Sequence, residues 1–172
     1  MAKLSSAKKN SRANLTHSHL VETAYRPRDP AATSFLMSRV RTSNTLMEIK
    51  LRSALHRAGF RFRKNVNALT GKPDIVFPTE RVAVFVDGDY WHARTLKEFG
   101  IDALRKSLKT TNSDFWMAKL EHNHKRDLAV TAELTRQGWV VVSLWETDLK
   151  KDMNRCVRAV VSAVNQRRNQ AH

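Results

Sequence analysis

The chain has 172 residues, with 31 Lys and Arg against 16 Asp and Glu for a formal charge of +15, 41% hydrophobic residues, 5 Gly, 4 Pro and one cysteine. That composition supplies a core for one domain and excludes collagen-like, low-complexity and wholly disordered chains. One cysteine, Cys156, excludes an internal disulfide and a multi-cysteine zinc site and suits a reducing cytoplasm, while the charge favours a polyanion as partner, nucleic acid first.

Residues 1–42 hold eight Lys or Arg (Lys3, Lys8, Lys9, Arg12, Arg26, Arg28, Arg39 and Arg41) against Glu22 and Asp29, with no apolar period. Residues 1–35 read as a basic arm adding phosphate contacts without sequence information. A solubilising tail is an equal reading of residues 1–25, and the apolar middle of a signal peptide is missing. No stretch approaches the ~20 apolar residues that cross a bilayer. A helix is expected from Thr45, where Thr45-Leu-Met-Glu48 fits a capping box and Met47, Leu51, Ala54, Leu55 and Ala58 recur at helical spacing up to Gly59. Arg61 to Val66 alternates weakly, Gly71-Lys72-Pro73 reads as a turn, and Asp74-Ile-Val-Phe77 reads as a short strand closed by Pro78. Val82-Ala-Val-Phe-Val86 is continuously apolar, which predicts a central strand covered on both faces.

Across 88–113, Leu96, Phe99, Ile101, Leu104 and Leu108 line either a short helix or a packed loop. A helix is predicted over 114–137 with Trp116, Leu120, Leu128 and Ala132 spaced in multiples of four, stopped by Gly138, then a strand over 139–145. Asp152 can cap a last helix whose Met153, Cys156, Val157, Val160, Val161 and Val164 form one apolar stripe. The order is helix, three strands, helix, strand, helix. It predicts an α/β domain over residues 36–165, with one mixed β-sheet flanked by helices, followed by a basic tail at 166–172.

Ionisable groups adjoin apolar strands at two places. Asp74 opens one strand, where a turn role is the commoner reading. Val86-Asp87-Gly88-Asp89-Tyr90-Trp91-His92 closes the other, with two carboxylates, an imidazole and two large aromatics. Carboxylates at neighbouring strand ends are hard oxygen ligands of the kind Mg²⁺ takes. Phosphodiester cleavage needs such a cation, together with a base that removes a proton from water. Asp74 fits the ligand and His92 the base, with Glu48 and Asp127 as further acids on helices that can flank the sheet edge.

These residues, together with Asp114-Phe-Trp116, Lys119, Asn123, Arg126, Gly138-Trp139-Val and Trp145-Glu146, resemble the very short patch repair (Vsr) endonucleases of the PD-(D/E)XK superfamily over roughly residues 36–164. The resemblance implies a restriction-endonuclease-like core in a bacterial enzyme of the cytoplasm and nucleoid. The implied activity is Mg²⁺-dependent nicking of double-stranded DNA 5′ to the thymidine of T:G mismatches, by a monomer working beside mismatch-repair proteins. It makes Asp74 a metal ligand with the Val86 backbone carbonyl, His92 the residue that activates water, and Asp87 a neighbour of the phosphate or metal. Glu48 and Asp127 become supporting acids, and Tyr90 and Trp91 a wedge between bases. The family also builds a structural zinc site from cysteines and histidine. Asp89, Ala93-Arg94-Thr95 and Thr147 stand at those positions here, so no structural zinc is expected and packing of Leu96, Phe99, Ile101, Leu104 and Leu108 should hold residues 93–112.

Arg39, Arg41, Arg61 and Arg63, with Arg155, Arg158, Arg167 and Arg168, are candidate phosphate contacts, most of them ordinary solvated charges. Two other readings stay open. One is a nuclease of the same fold with another DNA target, in restriction or phage defence. The other is a non-catalytic basic nucleic-acid-binding protein, against which unpaired carboxylates facing phosphate speak.

Overall fold

A computed structural model describes residues 43–110 and 112–170. The basic arm, Arg39 and Arg41 lie outside the described residues, as does the end of the basic tail. In chain order the elements are α1 (Leu46–Arg57), β1 (Arg63–Lys64), β2 (Ile75–Phe77), β3 (Val82–Asp87), α2 (Arg94–Ser107), α3 (Ser113–Arg136), β4 (Val140–Trp145), α4 (Glu146–Lys151) and α5 (Met153–Gln170). The four strands form one mixed sheet in the order β1-β2-β3-β4. The β1–β2 and β2–β3 pairs are antiparallel, and β3–β4 is parallel with Val82 opposite Val140 and Asp87 opposite Trp145. The α/β class with a mixed, helix-flanked sheet follows the sequence pattern.

Local signals account for the helix starts. Thr45 accepts the Glu48 N–H and Glu48 returns the bond to the Thr45 N–H, a complete capping box. The Asp152 carboxylate accepts the Arg155 N–H at 2.9 Å and caps α5. Alternation along β3 then divides the molecule into layers. Val82 and Val84 join Met47, Leu51 and Leu55 of α1 and Cys156, Val160 and Val164 of α5 in the main core. A smaller core of Ala93, Leu104, Met117 and Leu120 joins α2 to α3, with Leu96 and Leu108 packed against it.

Several details differ from the sequence reading. Residues 94–107 are helical, but Gly100 breaks the helix at φ 83°, ψ 178°, a conformation only glycine takes readily. Phe99 is 71% exposed and Ile101 is exposed too, so only Leu96, Leu104 and Leu108 of the five expected residues pack. On α3 the inward residues are Met117, Leu120 and Leu134, whereas Leu128 and Ala132 face solvent. β3 is covered on both faces only at Val82, Ala83 and Val84; beyond them the sheet opens into a cleft. The short helix α4 was not anticipated, because Leu149 is its sole buried residue and leaves no period to read.

Candidate active site

β3 delivers two kinds of group to its C-terminal end. In an extended strand, successive side chains face opposite ways while the N–H and C=O of one residue share a side. Asp74, just before β2, donates its own N–H to the Val84 carbonyl at 3.0 Å. Its Oδ2 accepts the Val86 N–H at 2.8 Å. The Val86 carbonyl therefore lies on the edge that the Asp74 carboxylate occupies. Burial pushes the Asp74 carboxyl up to about 6; the Val86 hydrogen bond opposes this, and the charges of Glu48 and Asp87 add to it.

Among the described residues no group of three or more His, Cys, Asp or Glu side chains could hold a metal ion by itself. The donors at this edge are the Asp74 carboxylate and the Val86 carbonyl. That set fits Mg²⁺, which takes one or two carboxylates and keeps several waters, and Asp74 Oδ1 has no hydrogen-bond partner among the described residues. Glu48, 3% exposed, is differently placed. Its Oε1 accepts the Thr45 N–H at 3.1 Å, and its Oε2 accepts the Asn44 N–H at 2.9 Å and an Arg52 N–H at 3.4 Å. Glu48 caps α1 and reaches Asp74 only through space.

On the other face of β3, Asp87 enters a cleft of about 400 Å³ lined by Phe85, His92, Lys97, Arg126, Asp127 and Ser143, among others. His92 Nδ1 lies 2.8 Å from Asp127 Oδ2 and 3.4 Å from Asp87 Oδ1. An ionised carboxylate only accepts, so Nδ1 carries a proton, and in the neutral ring Nε2 keeps a lone pair. The Asp127 hydrogen bond raises the His92 pKa against desolvation by burial, and Asp87 adds to the rise. Burial is the largest single influence on Asp127 and would raise it, but the bond and charge of His92 together with those of Arg126 outweigh it and hold that carboxyl below its ordinary value. Asp87, 6% exposed, is raised by burial despite His92 and Lys97 nearby.

The turn bearing His92 is held from both sides. The His92 N–H donates to the Gly88 carbonyl at 3.0 Å, and Asn123 on α3 donates its Nδ2–H to the Trp91 carbonyl at 2.9 Å. Tyr90 and Trp91 sit edge to face at 5.2 Å between ring centroids, and Trp116 lies 5.7 and 5.8 Å from them. Phe115, 62% exposed, packs on Trp116 at 5.4 Å. Sequence reasoning read Trp116 as part of an apolar spacing on α3; its aromatic neighbour at a helix start is the signal that could have placed it here.

The positions without thiolates also meet. Arg94 Nη1 lies 2.9 Å from Asp89 Oδ1 and 2.6 Å from Thr147 Oγ1, Nη2 lies 3.1 Å from Asp148, and Nε lies 2.8 Å from Glu98. The Thr147 N–H donates to Asp89 Oδ2 at 3.1 Å, and its hydroxyl donates to Oδ1 of the same carboxylate. α2 is thus held by a polar clip at Arg94 and Glu98 as well as by part of the expected packing, that of Leu96, Leu104 and Leu108. Trp145 lies beneath both Arg94 and Lys97, at 5.4 and 4.8 Å from its ring.

The arginines separate by partner. Arg63 is exposed on β1, an edge strand of the sheet, and Arg61 is exposed just before it. Arg167 is committed to the Glu80 and Gly138 carbonyls, and Arg168 to the Glu80 carboxylate with its guanidinium over Phe60. Arg155 and Arg158 are exposed on α5.

Comparison with known proteins points one way. The family model described as DNA mismatch endonuclease Vsr matches residues 27–98. Type II nicking enzyme V.NmeDIP of Neisseria meningitidis serogroup C is 38% identical over 124 residues, 72% of this chain and 80% of that protein. Type II nicking enzyme V.XorIIP of Xanthomonas oryzae pv. oryzae is 40% identical over 120 residues, 70% of this chain and 83% of that protein. DNA mismatch endonuclease Vsr of Escherichia coli K12 is 32% identical over 122 residues, 71% of this chain and 74% of that protein.

Proposed function

The chain belongs to the Vsr family of DNA endonucleases, and from that membership we propose that it hydrolyses one strand of double-stranded DNA 5′ to the thymidine of a T:G mismatch, with Mg²⁺ as its cofactor. The observation that carries the reading is the clamp on His92, whose Nδ1 faces two carboxylates while Nε2 is left to accept a proton. Nε2 takes the proton of a water whose oxygen bonds to phosphorus as the bond from phosphorus to the leaving sugar oxygen breaks. Asp127 keeps the imidazole in the accepting tautomer and stabilises the imidazolium that forms. Asp87 supports the same charge from the floor of the cleft.

Asp74 and the Val86 carbonyl would hold the ion, with Glu48 fixing the start of α1 beside them. Bound there, Mg²⁺ supplies positive charge against the charge developing on the phosphate and leaving oxygens. Tyr90 and Trp91, backed by Trp116 and Phe115, offer stacking surface to bases beside the mismatch, where unstacking costs less than in matched duplex. Arg61 and Arg63, with Arg39, Arg41 and the arm over 1–35, supply phosphate contacts that carry no sequence information.

A labelled duplex with a single T:G pair and its T:A twin, each incubated with Mg²⁺ or EDTA, tests the proposal. Nicking beside T:G alone, lost in EDTA and in Asp74→Ala by at least about 10³-fold, is the expected result. Equal cutting of both duplexes would remove the mismatch role and keep a nuclease. Tight binding of both without cutting would remove the enzyme.

A further inference from the structure

The turn that presents Tyr90, Trp91 and His92 closes on backbone hydrogen bonds from His92 to Gly88, Ala93 to Tyr90 and Arg94 to Asp89, at 3.0, 3.2 and 2.9 Å, but its exit into α2 is strained and uncapped. Ala93, which precedes α2, adopts φ 51° without the freedom of glycine, and α2 starts with no side-chain cap. The same helix breaks at Gly100 and rests on a core of four buried residues. Yet the turn sets where His92 meets Asp127 and Asp87.

We propose that Arg94 is the positioning residue of this site, its guanidinium fastening the turn at Asp89 and α2 at Glu98 to the head of α4 at Thr147 and Asp148. Each guanidinium nitrogen has its own work. Nη1 joins the turn to the α4 start through Asp89 and Thr147, Nη2 reaches Asp148, and Nε returns to α2 at Glu98. A planar fork serves three directions at once, which a lysine ammonium on a flexible stem does only in part. An isolated surface ion pair contributes little. The Arg94 side chain is 24% exposed, and its guanidinium is shared among three carboxylates and a hydroxyl and lies over Trp145. Thr147 doubles the link by donating both its N–H and its hydroxyl to Asp89. With Asn123 and Asp127 of α3 holding the opposite side, the clip fixes the height of the imidazole above the cleft. The consequence for rate rests on the nuclease reading; the consequence for order in the turn does not.

Hydrogen exchange by mass spectrometry and steady-state nicking of the T:G duplex, on the full chain, test this with Arg94→Met and Arg94→Lys. In Arg94→Met, amides over 88–99 are expected to exchange on the order of tenfold faster while β3 and α5 exchange at the wild-type rate. The same variant should lose on the order of 10–100-fold in kcat, since misplacement by an ångström acts on the reacting geometry, and KM should rise as well because the same turn presents Tyr90 and Trp91. Arg94→Lys should recover part of both. Unchanged exchange over 88–99 would overturn the proposal, as would an equal rise in β3 and α5, or a lysine variant no better than methionine. If Arg94→Met does not fold, Thr147→Val, which removes the bridging hydroxyl, carries the same expectations. Should the wild type nick no duplex, the rate arm falls with the proposed function, and the exchange arm still decides the clip.

Discussion

His92 donates its Nδ1 proton to Asp127, and that bond stabilises the protonated ring, so the imidazole pKa stands above its ordinary value. A base must be neutral to act, and a raised pKa delays the neutral form to higher pH. Nicking should therefore climb with pH through the raised His92 pKa and level off above it. Asp127→Asn removes the charge and lowers that pKa, so the acidic limb of the pH–rate profile should move to lower pH. The plateau should fall about 10²–10⁴-fold, because an amide can also donate to Nδ1 and hold the ring in the wrong tautomer. A limb that stays in place would show that His92 is not the titrating base. Cys156, by contrast, is buried with its thiol pKa raised by burial, and it belongs to the core as its helical spacing indicated.

At the scale of elements, packing around the cleft leaves little tolerance. Gly71 has φ +77°, and a Cβ there would lie 2.3 Å from Val130 Cγ1 and 3.3 Å from the Phe85 ring. Gly71→Ala should cost about 2–3 kcal/mol, from overpacking together with backbone strain, and urea unfolding at pH 7 would measure it. The capping box at Thr45, the apolar run of β3 and the stripe on α5 were legible because each is a local pattern with one physical reading. The stripe on α3 was misread for a reason that bears on function. Its inward face runs Met117, Leu120, Asn123, Asp127, Val130 and Leu134, and the polar members hold the His92 turn and line the cleft. A search for apolar periodicity passes over Asn123 and Asp127 and settles on Leu128, which is exposed. The crowding of ionisable groups at the end of β3 marked the candidate site. The pairing of His92 with Asp127, 35 residues away, and the meeting of Asp89, Arg94 and Thr147 are made by tertiary packing, and no local pattern encodes them.

For the molecule as a whole, +15 sets how it meets DNA. Affinity for duplex should fall linearly on a logarithmic salt axis, with a slope of about −0.9 for each phosphate neutralised. Lys97 lies 3.9 Å from Asp87 and lines the cleft, a distance that leaves its ammonium loosely committed. Lys97→Ala in an Asp74→Ala background should flatten the slope by about one, whereas Arg167→Ala, whose guanidinium is occupied by two backbone carbonyls, should leave the slope unchanged and lower thermal stability instead. A Lys97 variant with the wild-type slope would remove that side chain from the phosphate path. β3 gives all of this a common frame of reference: Val86 turns its backbone to the Asp74 edge, and the very next residue, Asp87, turns its side chain into the cleft. The two halves of the chemistry are one step of chain apart and cannot be tuned separately. Removing a single residue from the hairpin at 78–81 would exchange inward for outward along the whole strand while keeping every other amino acid. The site is thus specified as much by a count of residues as by their identity, and length variation in that hairpin should be far less tolerated than substitution.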